Sequence, residues 1–432
     1  MRRLQTWLQR WGWLGLLLAA PLFIFPLPLL MPILFLAPLL VWAHLDSLGV
    51  TPLNGIVLVL AGMLLVSLYA TSDLVVSLPK IAGLLLGLTT YFVVAHVASR
   101  LSGTLIVITT LVGAGVGLAF LLPVVQWSTK FLDIEKILTA LRLTGPDSSQ
   151  TGFINQNELA GALVWVMPLA GSLAIFCLAS FWRIKAATHW LVASLLLIGS
   201  VLLMGLMLVT LLLTQSRTAY AGLAIGVPVT FVVFKGRLRW LAASGLVIMA
   251  GLGLFYWSGL DSNLDYNRFL RLDTLNSRLE IWSRALLGLQ DFSVTGMGMN
   301  MFRFIGPVLY PFYYVGAGQV PHAHNEFLQA GLDLGVPGLI AFAALYVGAF
   351  WMLREINRGV QFSWNLKRNR HVDIGAEYLT IGIGAGLLAH LIYGLTDAVA
   401  LGAKPGILFW MLLGLIAGLY RQIAARSLSV MG

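Results

Sequence analysis

Pro321-His322-Ala323-His324-Asn325-Glu326-Phe327-Leu328-Gln329-Ala330-Gly331-Leu332-Asp333-Leu334-Gly335 marks the point where a long polar segment gives way to a long apolar one. Two histidines, an amide and a carboxylate stand at the head of a run that continues through Val336-Pro337-Gly338-Leu339-Ile340. About 20 such residues cross the hydrocarbon core of a bilayer as a helix. The polar head of this run then sits at a membrane surface.

Similar apolar runs recur along the whole chain. It has 432 residues, 59% hydrophobic and only 10% charged, with a mean hydropathy of +0.89. A soluble domain carries about 25% charged residues, so the composition predicts an all-α polytopic membrane protein of about 12 transmembrane helices. One continuous integral-membrane domain, residues 1–432, fits better than several soluble ones. A β-barrel would show short alternating segments instead. The net charge of +10 sits mostly in short connections between apolar runs, the pattern that sets membrane orientation. It therefore points to membrane lipid or an anionic substrate and not to nucleic acid. Cys177 is the one cysteine, which excludes an intrachain disulfide and a cysteine metal cluster. Met1-Arg2-Arg3 opens an apolar run that continues through Pro21 to Val41 without a cleavage pattern, so it reads as retained.

Residues 11–44, broken by Pro21, Pro26, Pro28, Pro32 and Pro38, read as two short or kinked spans. One kinked span is the alternative and would invert the N-terminus. Further spans are expected near 54–72, 80–98, 103–127, 158–182, 188–214, 218–234, 239–258, 324–352, 376–396 and 405–420. A polar segment at about 128–157 and a long polar loop at 259–323 lie between them. Placing both termini in the cytoplasm collects 16 Lys and Arg on that side against 6 in the short outer connections, the favoured asymmetry. The long loop is then extracytoplasmic. The halves show no matching pair of broken helices of the inverted-repeat transporter kind.

In that orientation the polar chemistry gathers on the outer side. Gly152-Phe153-Ile154-Asn155-Gln156-Asn157-Glu158, Gln215-Ser216-Arg217, Arg278, Arg284, the segment from His322 to Glu326, His390, Asp397 and Lys404 all fall there. Arg217 stands in a short turn between two apolar runs. It reads either as a side chain snorkelling to headgroups or as a guanidinium fork on phosphate. Leu275 to Gly288 has helical spacing, with Ser277 and Glu280 at capping-box distance. That predicts a surface helix starting near Arg278, whose first-turn charge opposes the helix dipole unless an anion is bound. A solvated arginine on an interfacial helix is the plainer alternative. Gly296-Met297-Gly298-Met299-Asn300-Met301-Phe302 reads as a flexible turn against the membrane. Tyr310, Phe312, Tyr313 and Tyr314 suit interfacial anchoring or stacking on sugar rings. His324 suits a metal ligand, a structural hydrogen bond, or a base that accepts a hydroxyl proton near neutral pH.

Taken together, these residues resemble the O-antigen ligase and polymerase superfamily of bacterial inner membranes. The resemblance rests on His324 followed by Gly335 eleven positions later within His324-Asn325-Glu326-Phe327-Leu328-Gln329 and Leu334-Gly335-Val336-Pro337-Gly338. Ser216-Arg217, Ser277-Arg278-Leu279-Glu280-Ile281-Trp282, Gly152-Phe153 with Asn157, and the long loop before the last spans add to it. It covers roughly residues 150–400.

The resemblance implies a GT-C-like membrane glycosyltransferase whose large extracytoplasmic loop carries short helices. Its donor would be a glycan on undecaprenyl diphosphate. The acceptor would be a sugar hydroxyl of lipid A–core in the ligase branch, or another repeat unit in the polymerase branch. No cofactor and no metal are implied, and the site would lie on the periplasmic side of the inner membrane. Arg217 and Arg278, with Arg284, are expected on the diphosphate, and His324 on the acceptor hydroxyl. His322, Glu326, Asn325 and Asn157 are expected to support them. A polymerase using the same donor is the nearest rival reading. A transporter such as a bicarbonate carrier, which should place ionisable groups near mid-membrane, is the rival from another class. His96 and His390 are its main candidates, and both can lie near span ends.

Overall fold

A computed structural model describes residues 7–8, 49–120, 125–126, 154–181, 187–234, 239–257, 272–313, 320, 322–365, 370–399 and 401–431. The spans expected within 11–44, most of the polar segment 128–157, residues 259–271 and Tyr314 lie outside them. The described chain is nearly all helical. In order the helices are α1 (Asn54–Ala70), α2 (Leu74–Val97), α3 (Leu101–Ala119), α4 (Gln156–Phe181), α5 (Ala187–Thr214), α6 (Arg217–Val233), α7 (Arg239–Trp257), α8 (Leu272–Asp291), α9 (Phe302–Leu309), α10 (Glu326–Asn365), α11 (Arg370–Gly394) and α12 (Ile407–Met431). The one strand pairing among them is a two-residue parallel bridge, Val125–Gln126 with Ile154–Asn155. Seven helices among the described residues are long and apolar enough to cross a membrane. The protein is therefore an all-α polytopic membrane protein, as the composition predicts.

Backbone contacts divide the chain into two compact units. The first takes in α1 to α3 up to Leu111, α8, α9, α10 up to Leu353, and the chain from Gly394 onward. Its spine is α2 against α12. Lipid tails offer helices no hydrophobic driving force to associate, so small residues that let backbones approach do the work. A Cβ on Gly87 would lie 2.2 Å from Trp410, one on Gly414 2.7 Å from Val94 and one on Gly418 2.5 Å from Ala98. α2 begins sharply because Asp73 caps it, its Oδ1 accepting from the N–H groups of Val75 (2.9 Å) and Val76 (3.2 Å).

Helix α10 is broken at Gly335, which has φ +72°. In an unbroken helix Val336 N–H would bond the carbonyl of Leu332. Here Leu332 O accepts Met297 N–H at 2.7 Å, and Val336 N–H donates to Ser293 O at 2.7 Å. The loop after α8 is thus inserted into the helical ladder. A Cβ on Gly335 would lie 2.2 Å from Val294 O, so only glycine fits. The segment from Gly296 to Phe302 is correspondingly a packed plug and not a flexible turn. Met297, Met299, Met301 and Phe302 are buried. Met299 N–H donates to Ser67 Oγ at 2.8 Å, and Ser77 Oγ donates to Met299 O at 2.6 Å.

The second unit contains residues Val112–Arg271 and Arg354–Tyr393. In it α4 packs on α5 and α6, and α6 on α7. α11 supplies close approaches of its own. A Cβ on Gly386 would lie 2.4 Å from Trp165 O, and Gly222 and Gly226 of α6 abut the Ala389 backbone. His390 stacks on Trp165 with ring centroids 3.8 Å apart and 19° between planes. Tyr393 OH donates to Asn157 O at 2.7 Å.

Candidate active site

The site is built on the tight segment that leads into α10. Asn325 caps the helix: its Oδ1 accepts the N–H groups of Phe327 and Leu328, each at 3.0 Å. The two histidines therefore precede the helix and lie in a turn, one step outside the span expected near 324–352. His324 has φ +47°, a left-handed conformation rare in residues other than glycine. Local bonds hold it there. His324 N–H donates to His322 Nδ1 at 3.1 Å, and Trp282 Nε1–H donates to His324 O at 3.2 Å.

The partner of this pair is Asp397, in the link between α11 and α12. Its Oδ1 lies 3.5 Å from His322 Nε2 and 3.7 Å from His324 Nδ1. The link is fastened from the other side. Glu326 Oε1 accepts Val399 N–H at 2.9 Å, and Asn325 Nδ2 donates to Leu395 O at 3.0 Å. Glu326 is buried and anchors the Asp397 link.

These contacts fix the proton bookkeeping of the pair. His322 Nδ1 accepts a backbone N–H, so neutral His322 carries its proton on Nε2, toward Asp397. His324 turns Nδ1 to the same carboxylate, which favours the tautomer with its proton there. Nε2 of His324 is left as the atom able to take up a proton. Burial alone would raise Asp397, but the two imidazoles and the Ala398 N–H hold its carboxyl well below the usual carboxylate range. Burial lowers His322; Asp397 opposes this, while His324, Lys80 and Arg278 add to it, and the net value falls to about 3. His322 is therefore neutral at physiological pH beside an ionised Asp397.

His322, His324 and Asp397 bring one ligand atom each within 4.8 Å of one another, so a metal centre needs testing here. A neutral His322 whose Nδ1 accepts an N–H has no lone pair on Nε2 to give a cation. The donor set suits two N–H groups converging on a carboxylate and does not suit an ion. At 3.5 and 3.7 Å these contacts are longer than tight hydrogen bonds, and among the described residues His324 Nδ1 has no hydrogen-bond partner at closer range.

The arginines differ in their surroundings. α8 begins at Leu272, so Arg278 lies in its second turn and not its first. The anion site expected from the helix N-terminus is thereby withdrawn. Leu272-Asp273-Thr274-Leu275 contains no helix breaker and extends the helix backward. The expected capping box does not start the helix, because Ser277 lies inside α8; Glu280 Oε1 accepts Tyr313 N–H at 2.5 Å. Arg278 makes no hydrogen bond or ion pair to another described residue, and it is near enough to act on His322. Arg284 is engaged: Nε donates to Pro311 O at 2.9 Å, and the guanidinium lies 5.8 Å from the Tyr313 ring centroid. Ile281 and Ala285 turn the other face of α8 into a core with Met297, Met301, Phe302, Tyr310 and Ala323. Arg217 and Asn157 belong to the second unit. Arg217 is the first residue of α6, after Gln215 with φ +50°. It thus occupies the helix position that the sequence suggested for Arg278.

Two residues near the histidines escape the sequence-based site. Asp397 is visible there only as one polar residue at a span end, because nothing local pairs it with a segment so distant in the chain. Lys80 acts on His322 electrostatically yet reads in sequence as a connection charge.

Comparison with known proteins fits this picture. Residues 202–343 match the family model described as O-antigen ligase, a stretch that includes Arg217, Arg278, Arg284 and the histidine pair. The chain is also similar to the exopolysaccharide production protein ExoQ of Rhizobium meliloti (strain 1021), 27% identical over 119 residues. That match spans 27% of this chain and 27% of the relative. Together the matches support a likeness to the O-antigen ligase and polymerase superfamily over part of the chain.

Proposed function

We propose that the protein is a metal-independent, inverting glycosyltransferase of the O-antigen ligase kind. It would move a glycan from undecaprenyl diphosphate to a sugar hydroxyl of lipid A–core at the periplasmic face of the bacterial inner membrane. The observation that carries the reading is His324 set against Asp397, with Nε2 left to accept a proton and the cations Arg278 and Lys80 close to the pair. The acceptor oxygen attacks the anomeric carbon and its proton passes to His324 Nε2. The bond from that carbon to the diphosphate oxygen breaks, and undecaprenyl diphosphate leaves with the electron pair. One direct displacement inverts the anomeric centre. Asp397 stabilises the imidazolium that forms, the role a carboxylate plays behind a catalytic histidine. Arg278 and Lys80 stabilise charge collecting on the diphosphate. The family pattern assigns Arg217 to diphosphate as well, and Arg284 is held on the protein side of α8 by Pro311 O. The charge asymmetry of the loops supports cytoplasmic termini and a periplasmic site.

A polymerase acting on the same donor is the second reading, favoured by the likeness to an exopolysaccharide production protein. One assay separates them: purified protein, undecaprenyl-diphosphate glycan and lipid A–core, with His324→Ala and Arg217→Ala beside the wild type. Glycan on lipid A–core, absent in both folded variants, supports the ligase. Lengthening of the donor without lipid A–core identifies a polymerase. No transfer while the donor still binds removes the transferase reading.

A further inference from the structure

Between the inserted loop and the histidine pair runs a chain of side-chain hydrogen bonds that the proposed chemistry does not itself use. Gln329 Oε1 accepts Ala323 N–H at 2.8 Å, fixing the residue between the two histidines. Gln329 Nε2 donates to Asp333 Oδ1 at 2.8 Å. The same oxygen accepts Asn300 N–H at 3.0 Å, and Asn300 Nδ2 donates to Val76 O of α2 at 3.2 Å. Gln329 and Asp333 stand four residues apart, on one face of the short helical piece before the Gly335 break. Asp333 and Ala323 are buried, so water does not substitute readily for either partner.

We infer that Gln329 is a positioning residue for the histidine pair, anchored by Asp333 to the loop from Gly296 to Met301. The inference rests on the reading of His324 as proton acceptor. An amide is the side chain that this place requires. One end accepts from a backbone N–H and the other donates to a carboxylate. An amide does this with two separate atoms and without titrating, where a hydroxyl would have to do both at one oxygen. Asp333 needs only an acceptor oxygen, which asparagine also supplies. His324 adopts a left-handed backbone that its own residue type does not favour, and such conformations persist where their surroundings over-determine them. Gln329 is one of the bonds that do so.

The test uses the full-length protein in lipid nanodiscs, with 15N-labelled histidine and the wild type beside Gln329→Met and Asp333→Asn. Nitrogen chemical shifts report the tautomers of His322 and His324, assigned with single His→Gln variants, and need no substrate. Transfer kinetics are measured on the same samples. Gln329→Met is expected to remove the hydrogen-bonded Nδ1 signature of His322 and lower kcat about 10- to 100-fold, with KM changed less than about threefold. Asp333→Asn is expected to keep both readouts near wild type. A methionine variant with wild-type shifts and kcat overturns the inference, as does an asparagine variant as impaired as the methionine one. If Gln329→Met does not fold, Gln329→Glu is compared at pH 6 and pH 9. A glutamate set against the buried Asp333 carboxylate is held protonated well above its ordinary value of about 4.3. Protonated it both donates and accepts, and ionised at high pH it cannot donate. Activity relative to wild type should then fall toward pH 9, and a parallel profile overturns the inference. Should the wild type transfer nothing, the proposed function fails while the shifts still decide the positioning.

Discussion

His324 and His390 are the same side chain in the same greasy protein, held in opposite settings. His390 sits inside a regular helix, fully buried, its ring stacked on Trp165 and 5.4 Å from the ring of Tyr393. It is packed as an aromatic plate. His324 sits in a strained turn at a helix mouth with 23% of its side chain exposed and a buried carboxylate behind it. Backbone geometry makes the difference. Within α11 the backbone N–H and C=O groups around His390 are spent in the helical ladder, and its ring is stacked on Trp165. The turn spends the His324 backbone groups on His322 and Trp282, and the proposed proton acceptor is the Nε2 that faces away from Asp397. The transporter reading leans on His96 and His390 as ionisable groups, and His390 is stacked on Trp165 within the second unit.

The largest expected effect follows from that contrast. His324→Gln should lower transfer by roughly 10²–10⁴, the usual worth of a positioned general base, with the thermal midpoint close to wild type. His390→Ala should do the reverse, lowering folded yield and midpoint while turnover per folded molecule stays within a few-fold. Activity and thermal unfolding measured on both variants check this. Equal losses of activity per folded molecule would erase the distinction.

The sequence made the spans legible because apolar runs of membrane length have few other uses. It made the histidine segment legible because polar residues cluster there at a span end. Gly335 was readable as a spacing but not as a cause. Its need for positive φ comes from Ser293 and Met297, which enter the helical ladder from a loop forty residues upstream in the chain. Asp397 was hidden for the same reason, as only the fold carries its link to His324. The start of α8 was misjudged because Ser277 and Glu280 have the spacing of a cap, while tertiary contact gives Glu280 to Tyr313. Local pattern lost wherever a distant backbone group offered a better hydrogen bond.

Arg278 and Arg284 repeat the contrast within one helix, at a smaller scale. Arg284 is already bonded to Pro311 O and lies against Tyr313, whereas Arg278 is not bonded to any described residue. Lysine keeps the charge but loses the planar fork. Arg278→Lys is therefore expected to weaken donor use about tenfold in kcat/KM, and Arg284→Lys no more than about threefold, the latter with a lowered midpoint. Steady-state kinetics over a range of donor concentrations measures both. The opposite order would move the phosphate site to the Arg284 end of α8.

The smallest effect concerns pH and sharpens the contrast from the side of His322. Its folded value, about 3, lies below the ordinary histidine value near 6.5. As pH falls below about 6.5 the unfolded chain takes up a proton before the folded one does, so the folded state loses stability, down to about pH 3. Asp397, held below the usual carboxylate range, acts in the same direction and only below about pH 4. Between pH 6.5 and 4, then, the loss attributable to this cluster belongs to His322. His322→Gln keeps an oxygen able to accept the His324 N–H but does not titrate. Its thermal midpoint should therefore drop less between pH 7.5 and pH 5 than that of the wild type, by a few degrees. Thermal scans of both proteins at the two pH values decide it. Parallel shifts would mean that solvent reaches His322 freely. The Asp397 carboxylate would then face a histidine pair that gains charge on mild acidification, and the neutral tautomer assigned to His322 would hold only above that range.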